Sequence, residues 1–190
     1  MTSVSKHYFA PMGADPRVFR LGTGPRPVGI VTSGFVSGSI AEAIEEVAEA
    51  AYETDLTVFH LGPDKIVGMQ PRMEPTWSSA HGISDFRLSQ TFAMSKWVSG
   101  LRHVEGFEMP ALEGLLCGAR PIVFDRPEMR HWFGDHAMFV PECSGQDLII
   151  RLIAILGSAP KPVSFEERAT VVERFSWSSV AKGFWDCLTA

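Results

Sequence analysis

Short apolar runs alternate with helical patterns along this chain, and that alternation restricts its possible folds more than any other feature. The runs at 27–32 and 56–61 are rich in β-branched and aromatic residues and are followed by glycine. Between them, residues 40–53 are rich in Ala and Glu, with apolar residues on one face of a helix. Strands that alternate with helices pair in parallel. The pattern therefore predicts a single α/β domain of Rossmann-like type, a parallel sheet flanked by helices.

The rest of the chain continues the alternation. Strands are predicted at 96–99, 120–125 and 137–140, and helices at 85–95, 109–117, 146–156, 164–174 and 179–188. Residues 64–75 contain two prolines, which favour a loop or a short irregular strand. The helix at 146–156 is apolar almost all round, which predicts burial of most of its surface. Trp177, Phe184 and Trp185 are expected to dock in the core, with a partner surface as the alternative.

Composition restricts the possible functions. A net charge of −5 gives no general attraction to nucleic acid or to an anionic membrane. The N-terminus lacks the apolar segment of a signal peptide, and no stretch approaches the roughly 18 apolar residues of a membrane span. Three widely spaced cysteines form no metal-ligand pattern and suit a reducing compartment. We therefore expect a cytoplasmic protein without a membrane span. No G-x-S-x-G or G-x-x-x-x-G-K-[ST] motif supports a serine hydrolase or a P-loop enzyme.

Residues 105–121 carry the most chemical information. They form a polar strand-to-helix turn with a carboxylate at each end, Glu105 and Glu113. Gly106 lets the backbone approach a ligand, and the free amides near Met109, where the helix begins, can bind a phosphate. The carboxylate of Glu113, one helical turn later, can accept hydrogen bonds from both hydroxyls of a ribose. Two glutamates at this spacing also occur as plain surface charges, so the spacing alone leaves both interpretations open.

The same stretch resembles the E-x7-E signature of retaining GT-B glycosyltransferases of the group 1 type, in the form EGF-x-x-P-x-LE followed by CGxRP. Further landmarks of that family appear in the same order at 12–19, 81–88, 133–141 and 175–177. The resemblance implies the carboxyl-terminal, donor-binding domain of such an enzyme. That single domain would span residues 1–190, with its core at about 10–157 and its carboxyl-terminal helices at about 164–190.

The resemblance also implies roles for individual residues. Glu105 would be the catalytic carboxylate beside the donor sugar. The other implied contacts are all to the donor nucleotide: Gly106, Phe107 and Glu108 to its diphosphate, Glu113 to its ribose, and Gly82 and Ile83 to its base. The implied donor is a nucleotide sugar, the acceptor is unknown, and no metal ion or other cofactor is expected. The absence of a D-x-D pair agrees with a metal-independent enzyme.

One departure from the family lies in the phosphate-side loop at 33–39, which has no basic residue where the family carries an Arg and a Lys. A charge-assisted contact contributes about 1.5–3 kcal/mol, so the loss of two would weaken donor binding by roughly two to four powers of ten. Gly34 and its neighbours can bind phosphate through backbone amides or can form a plain turn. Arg102 and His103 are the nearest replacement cations in the sequence, or else exposed loop charges.

A second departure is size, because family members pair this domain with another that binds the acceptor. We expect a second copy of the chain in a homo-oligomer, a partner chain or a large acceptor to supply that half. Both departures also suit an alternative function, a non-catalytic module that binds a nucleotide sugar or another protein. A third possibility, an unrelated α/β nucleotide-binding enzyme, requires the match at 105–121 to be accidental.

Overall fold

A computed structural model of the chain describes residues 11–34, 42–62 and 70–189. These residues form one six-stranded sheet with the order β3-β2-β1-β4-β5-β6, in which every neighbouring pair is parallel. The strands are β1 Val28–Ser33, β2 Val58–Leu61, β3 Trp77–Ala80, β4 Ser95–Gly100, β5 Arg120–Phe124 and β6 Met138–Val140. The predicted α/β fold with a parallel sheet is confirmed.

Helices cover both faces of this sheet. They are α1 Ile44–Glu53, α2 Asp85–Ala93, α3 Met109–Cys117, α4 Pro127–Phe133, α5 Gly145–Leu156, α6 Phe165–Phe175 and α7 Trp177–Thr189. Neighbouring strand residues point to opposite faces, so Trp97 packs in the cluster that includes α1 and α5, whereas Val98 packs with α2, α3, α4 and α6. The two helical layers therefore bury the sheet on both sides, as its nearly continuous apolar strands require.

The helix α3 begins and ends at the predicted residues, and its packing fixes the position of its first turn. Its second residue is Pro110, and Gly118 follows its last turn with a left-handed φ of 92°. This conformation closes the helix with a hydrogen bond from the Ala119 amide to the Gly114 carbonyl, 2.9 Å long. A Cβ on Gly114 would lie 2.6 Å from the Val98 side chain, so glycine lets α3 approach β4 closely.

Two elements were not predicted from the sequence. The strand β3 has the sequence WSSA and lies at the sheet edge, where half-buried polar residues replace the usual apolar pattern. The helix α4 starts at Pro127 and is too short for a clear helical period. Within the ambiguous segment 64–75, a 3₁₀ turn covers Pro71–Thr76, and residues 64–69 lie outside the described residues. Residues 40 and 41, the predicted start of the first helix, also lie outside them.

Two burial predictions were wrong. In α5 one face is buried, but Ile150 is 57% exposed, because it lies on the face of this helix opposite the buried residues. Trp177, Phe184 and Trp185 are 51%, 44% and 61% exposed, so they do not dock in the core. None of the described helices has the length and apolar character that crossing a membrane requires.

Serine residues stand at the start of several helices. The amide of Glu167 donates to Ser164 Oγ at 3.0 Å, which caps the first turn of α6. Ser84 caps α2 in the same way, through the Arg87 amide. Ser144 occupies the cap position of α5, but its side chain makes no capping hydrogen bond.

Candidate functional site

The site predicted from the sequence lies where the order of the strands reverses. From β1 the chain proceeds to β2 and β3 on one side, and β4 then starts the other half of the sheet next to β1. In open α/β sheets the carboxyl ends of such strands flank the ligand crevice. Here β1 ends at Ser33 and Gly34 follows it, while the loop after β4 carries Glu105 and leads into α3.

The loop that carries Glu105 is anchored by its neighbours. The indole Nε1 of Trp132 donates to the Gly106 carbonyl at 2.9 Å. The ring of Phe107 packs against Trp132, Phe133 and Phe175, with centroids 5.4, 6.0 and 5.7 Å away. The Phe107 side chain is therefore an anchor, and only its backbone is free to serve the predicted phosphate role. A Cβ on Gly106 would meet no atom of the described residues within 4 Å.

Glu105 itself is half-buried. Its Oε1 accepts a hydrogen bond from the Gly106 amide at 3.1 Å. The carboxylate of Glu105 and the amide of Gly106 thus lie beside each other.

Glu108 is fully buried and belongs to a cluster of charged groups beneath the loop. Its Oε2 accepts from Arg102 Nη1 at 2.7 Å, and Arg102 Nη2 donates to Ser33 Oγ at 2.7 Å. The same Nη2 lies 3.7 Å from Oε2 of Glu42, which is also buried. Glu42 in turn accepts from the Ser33 amide at 3.2 Å. This cluster joins the end of β1 to the end of β4.

Burial governs the electrostatics of this cluster. It raises the pKa of Glu42 to about 8, with Arg102 acting in the opposite direction and the Glu108 charge adding to the rise. It raises the pKa of Glu108 to about 7, again against the effect of Arg102. The Arg102 side chain is only 17% exposed, so the idea that it is an exposed loop charge was wrong. Glu42 was not predicted, because nothing in its local sequence signals burial.

His103, the other replacement cation considered, is occupied elsewhere. Its Nδ1 lies 3.1 Å from Glu142 Oε1, and its carbonyl accepts a hydrogen bond from Arg126 Nη2. Arg126 also donates from Nε to Glu142 Oε2 at 2.8 Å. These contacts hold the start of the Glu105 loop against the residues that follow β5 and β6.

The residues predicted for the nucleoside lie on or directly before two helices that contact each other. Glu113 is on α3, and Gly82 and Ile83 precede α2. Gly82 is exposed in the turn between β3 and α2 with a left-handed φ of 65°, and Ile83 packs partly into the core. Burial, followed by the charge of Asp85 at the start of α2, raises the pKa of Glu113 to about 7. Among the described residues no cation pairs with Glu113. Its carboxyl group is available to hydroxyl donors, such as those of a ribose.

Gly34 directly follows β1, and its amide donates to the Leu61 carbonyl at 2.9 Å. A Cβ on Gly34 would lie 3.3 Å from the ring of His60, which is buried beneath it. Burial lowers the pKa of His60 to about 4, so this ring is neutral at pH 7. Residues 35–39, the rest of the loop without basic residues, lie outside the described residues. Within the described part of the chain, no group of three or more potential metal ligands is present.

Comparison with known proteins decides the fold. No protein-family model and no curated protein matches the sequence. The C-terminal domain of LpcC, a glycosyl transferase group 1 family protein from Francisella tularensis, matches with a TM-score of 0.58 and 17% identity over 93% of this chain and 97% of that one. The chain has the fold of a GT-B carboxyl-terminal domain.

Longer glycosyltransferases contain the same fold. AviGT4, a glycosyltransferase involved in avilamycin A biosynthesis, matches with a TM-score of 0.73 and 14% identity. HepE from Anabaena, in complex with UDP and glucose, matches with a TM-score of 0.69 and 15% identity. This GT-B domain covers 56% and 55% of those two chains, so it spans a little over half of their length. At these identities the likeness establishes the fold, and the roles of the site residues remain predictions.

Proposed function

We propose that the chain is the donor-binding domain of a retaining, metal-independent glycosyltransferase that uses a nucleotide sugar. The observation that carries this proposal is the arrangement of the E-x7-E residues at the carboxyl edge of the GT-B sheet. Glu105 and Gly106 follow β4 and lead into α3, and Glu113 lies one turn into that helix. The Gly82 turn leads into α2, whose Asp85 acts on the carboxyl group of Glu113. A diphosphate followed by a nucleoside has the same order of groups.

The start of α3 suits a leaving diphosphate. This helix has no side-chain cap and no acidic residue within its first turn, and Pro110 lacks an amide proton. The amides of Met109 and Ala111 therefore have no partner within the helix, and they add to the positive end of its dipole. Amides already oriented in this way stabilise the charge that develops as the sugar leaves. Glu105 beside them would orient the sugar and stabilise its positive charge.

The acceptor half of the active site is part of the same proposal. A second copy of the chain or a partner chain would supply it. The exposed aromatic residues of α7, Trp177 and Trp185, offer an apolar surface to such a chain.

A second candidate function is a non-catalytic module that binds a nucleotide sugar or another protein. The observation that favours it is the pairing of Arg102, whose positive charge lies against the carboxyl groups of Glu42 and Glu108. With Glu105 nearby, three acids and one arginine surround the place where a diphosphate would bind. A diphosphate meets little net attraction there as long as the acids are ionised.

Calorimetric titration with UDP, GDP and ADP and their glucose derivatives tests the donor site. We expect one base to be bound, and Glu113→Ala to weaken that binding by at least about 1 kcal/mol, or roughly fivefold. Glu166→Ala is the matched control, because Glu166 is an exposed glutamate on α6. If the folded protein binds none of these compounds, or if Glu113→Ala binds as the wild type does, the proposal is wrong.

Transfer to a co-purified or added acceptor separates an enzyme from a module. Glu105→Gln keeps the size of the side chain and removes its charge. For an enzyme we expect this variant to bind the nucleotide and to lose sugar transfer and donor hydrolysis. If the Glu105→Gln variant transfers sugar at the same rate as the wild type, Glu105 is not the catalytic residue.

A further inference from the structure

Two buried carboxyl groups face one guanidinium group at the ends of β1 and β4. Arg102 Nη1 donates to Glu108 Oε2 at 2.7 Å, and Arg102 Nη2 lies 3.7 Å from Glu42 Oε2. One positive charge balances one carboxylate only, and a second buried carboxylate without a counter-charge is strongly unfavourable. One carboxyl group of the pair is therefore protonated in the free protein near neutral pH.

A buried oxygen atom shows that the pair is not fully satisfied. Glu108 Oε1 is inaccessible to solvent and has no hydrogen-bond partner among the described residues. An oxygen in such a setting gains little from carrying charge, which favours the protonated acid. Protonation of both acids would leave the charge of Arg102 unopposed.

Arg102 has the position and the donors for an anionic ligand. It directly follows the loop residue Leu101 after β4, and it contacts Ser33 at the end of β1. It thus lies between the two strand ends that flank the ligand crevice. Its contacts in the cluster use Nη1 and Nη2, whereas a guanidinium group offers five N–H donors. Its side chain also remains 17% exposed.

We propose that Arg102 is the cation that binds the diphosphate, and that Glu42 and Glu108 are positioning residues that hold it and take up a proton when the diphosphate binds. In the free protein the pair shares one proton, and Arg102 is neutralised by the remaining carboxylate. The incoming diphosphate attracts Arg102, and the second carboxyl group becomes protonated. This inference rests on the proposed function, and it supplies the positive charge that the loop at 33–39 lacks.

Two other charged residues, Glu105 and Arg126, act on the pair. The Glu105 charge raises the pKa of Glu108, and Arg126 lowers it, both less than burial raises it. Arg126 is itself paired with Glu142, so it is not a second uncommitted cation. With pKa values of about 8 for Glu42 and about 7 for Glu108, the pair exchanges protons in the range where a nucleotide would bind.

Calorimetric titration with UDP, GDP and ADP, at pH 7.0, 7.5 and 8.0, tests this linkage. Each titration is repeated in two buffers with different ionisation enthalpies, which gives the number of protons taken up per nucleotide. The terminal phosphate has a pKa near ~6 and is largely ionised throughout this range. For the nucleotide that binds, we expect an uptake that approaches one proton and a weakening of up to about tenfold per pH unit.

Three variants make the result specific. In the double variant Glu42→Gln and Glu108→Gln neither group can titrate, so we expect no proton uptake and tighter binding than the wild type at pH 8.0. Arg102→Gln should weaken binding by about tenfold or more, as expected for a lost charge-assisted contact. Glu45→Gln, an exposed glutamate in the first turn of α1, is the matched control and should behave as the wild type.

The outcomes separate this inference from the proposed function. Nucleotide binding without proton uptake, or binding by Arg102→Gln that equals the wild type, overturns the inference and leaves the donor site in place. If the double variant keeps the wild-type pH dependence of binding, the inference is also overturned and the donor site stands. This result decides the question even if Arg102→Gln does not fold. If the folded wild type binds none of the three nucleotides, both the inference and the proposed function are wrong.

Discussion

Replacing Glu42 by glutamine should flatten the dependence of stability on pH. Burial raises the pKa of Glu42 to about 8 in the folded protein, whereas an unfolded chain releases that proton near pH 4.5. A group whose pKa is raised on folding stabilises the protein fully below its unfolded pKa. That stabilisation is lost as the pH rises through the folded pKa. The wild type should therefore become less stable between pH 5 and pH 8.

The size of the effect follows from proton linkage. For each proton that the folded protein binds in excess of the unfolded chain, the free energy of unfolding falls by about 1.4 kcal/mol for every unit by which the pH rises. From pH 6.5 to 8.0, with the proton half released at the end, Glu42 accounts for roughly 1.5 kcal/mol. His60 has a lowered pKa of about 4, so its contribution rises with pH only below about pH 6.5, outside this range. Glu113 lies outside the pair and titrates in the wild type and in the variant alike. Glu108 shares its proton with Glu42, so in the variant it keeps Arg102 as its counter-charge and does not restore the lost pH dependence.

Urea denaturation at pH 6.5 and pH 8.0, followed by circular dichroism, measures this difference. We expect Glu42→Gln to lose roughly 1.5 kcal/mol less than the wild type over that range. Glu45→Gln is the control, because Glu45 is exposed on the same helix. Equal losses in Glu42→Gln and the wild type would mean that Glu42 is ionised throughout, which would refute the shared proton.

Three further substitutions test the fold by urea denaturation. Ser164→Ala removes the cap of α6 and should cost about 1 kcal/mol, while Ser144→Ala, whose hydroxyl makes no capping bond, should cost much less; equal costs would contradict the capping geometry. Gly118→Ala places a side chain at a left-handed φ of 92°, with its Cβ 2.2 Å from a guanidinium nitrogen, and should cost about 1–3 kcal/mol. Gly24→Ala is the control, because its Cβ would meet no atom of the described residues within 4 Å; a neutral Gly118→Ala would be inconsistent with the left-handed turn. Arg120→Ala removes a buried cation that binds Glu167 and three carbonyl groups, and should cost about 3–5 kcal/mol; a loss below about 1 kcal/mol would refute its structural role.

The elements that could be predicted are those whose boundaries are encoded locally. The helix α3 was predicted at both ends, because Pro110 marks its first turn and Gly118 its last. The edge strand β3 was missed because its residues are polar and only half-buried, so its strand character comes from pairing with β2. The exposure of Trp177 and Trp185 could not be predicted either. An apolar helix face in a sequence does not specify what covers it.

Some residues of the candidate site could likewise be predicted from a local motif, whereas others are brought together only by the fold. Glu105 and Glu113 were found from a motif, since their spacing and their turn are properties of one short segment. The pairing of Arg102 with Glu42 depends on β1 and β4 lying side by side, which only the folded sheet provides. The burial that raises the pKa of both acids is likewise a property of the tertiary structure.

The most direct test of the donor site is an amide ¹H–¹⁵N NMR titration of the wild-type chain with the nucleoside diphosphate that it binds best. We expect the largest shift changes at the carboxyl edge of the sheet, at Gly34, Gly82, Ile83, Gly106 and Phe107. Changes confined to the opposite edge, around the cleft that Lys96 and Gly157 line, would contradict the donor site, as would an unchanged spectrum.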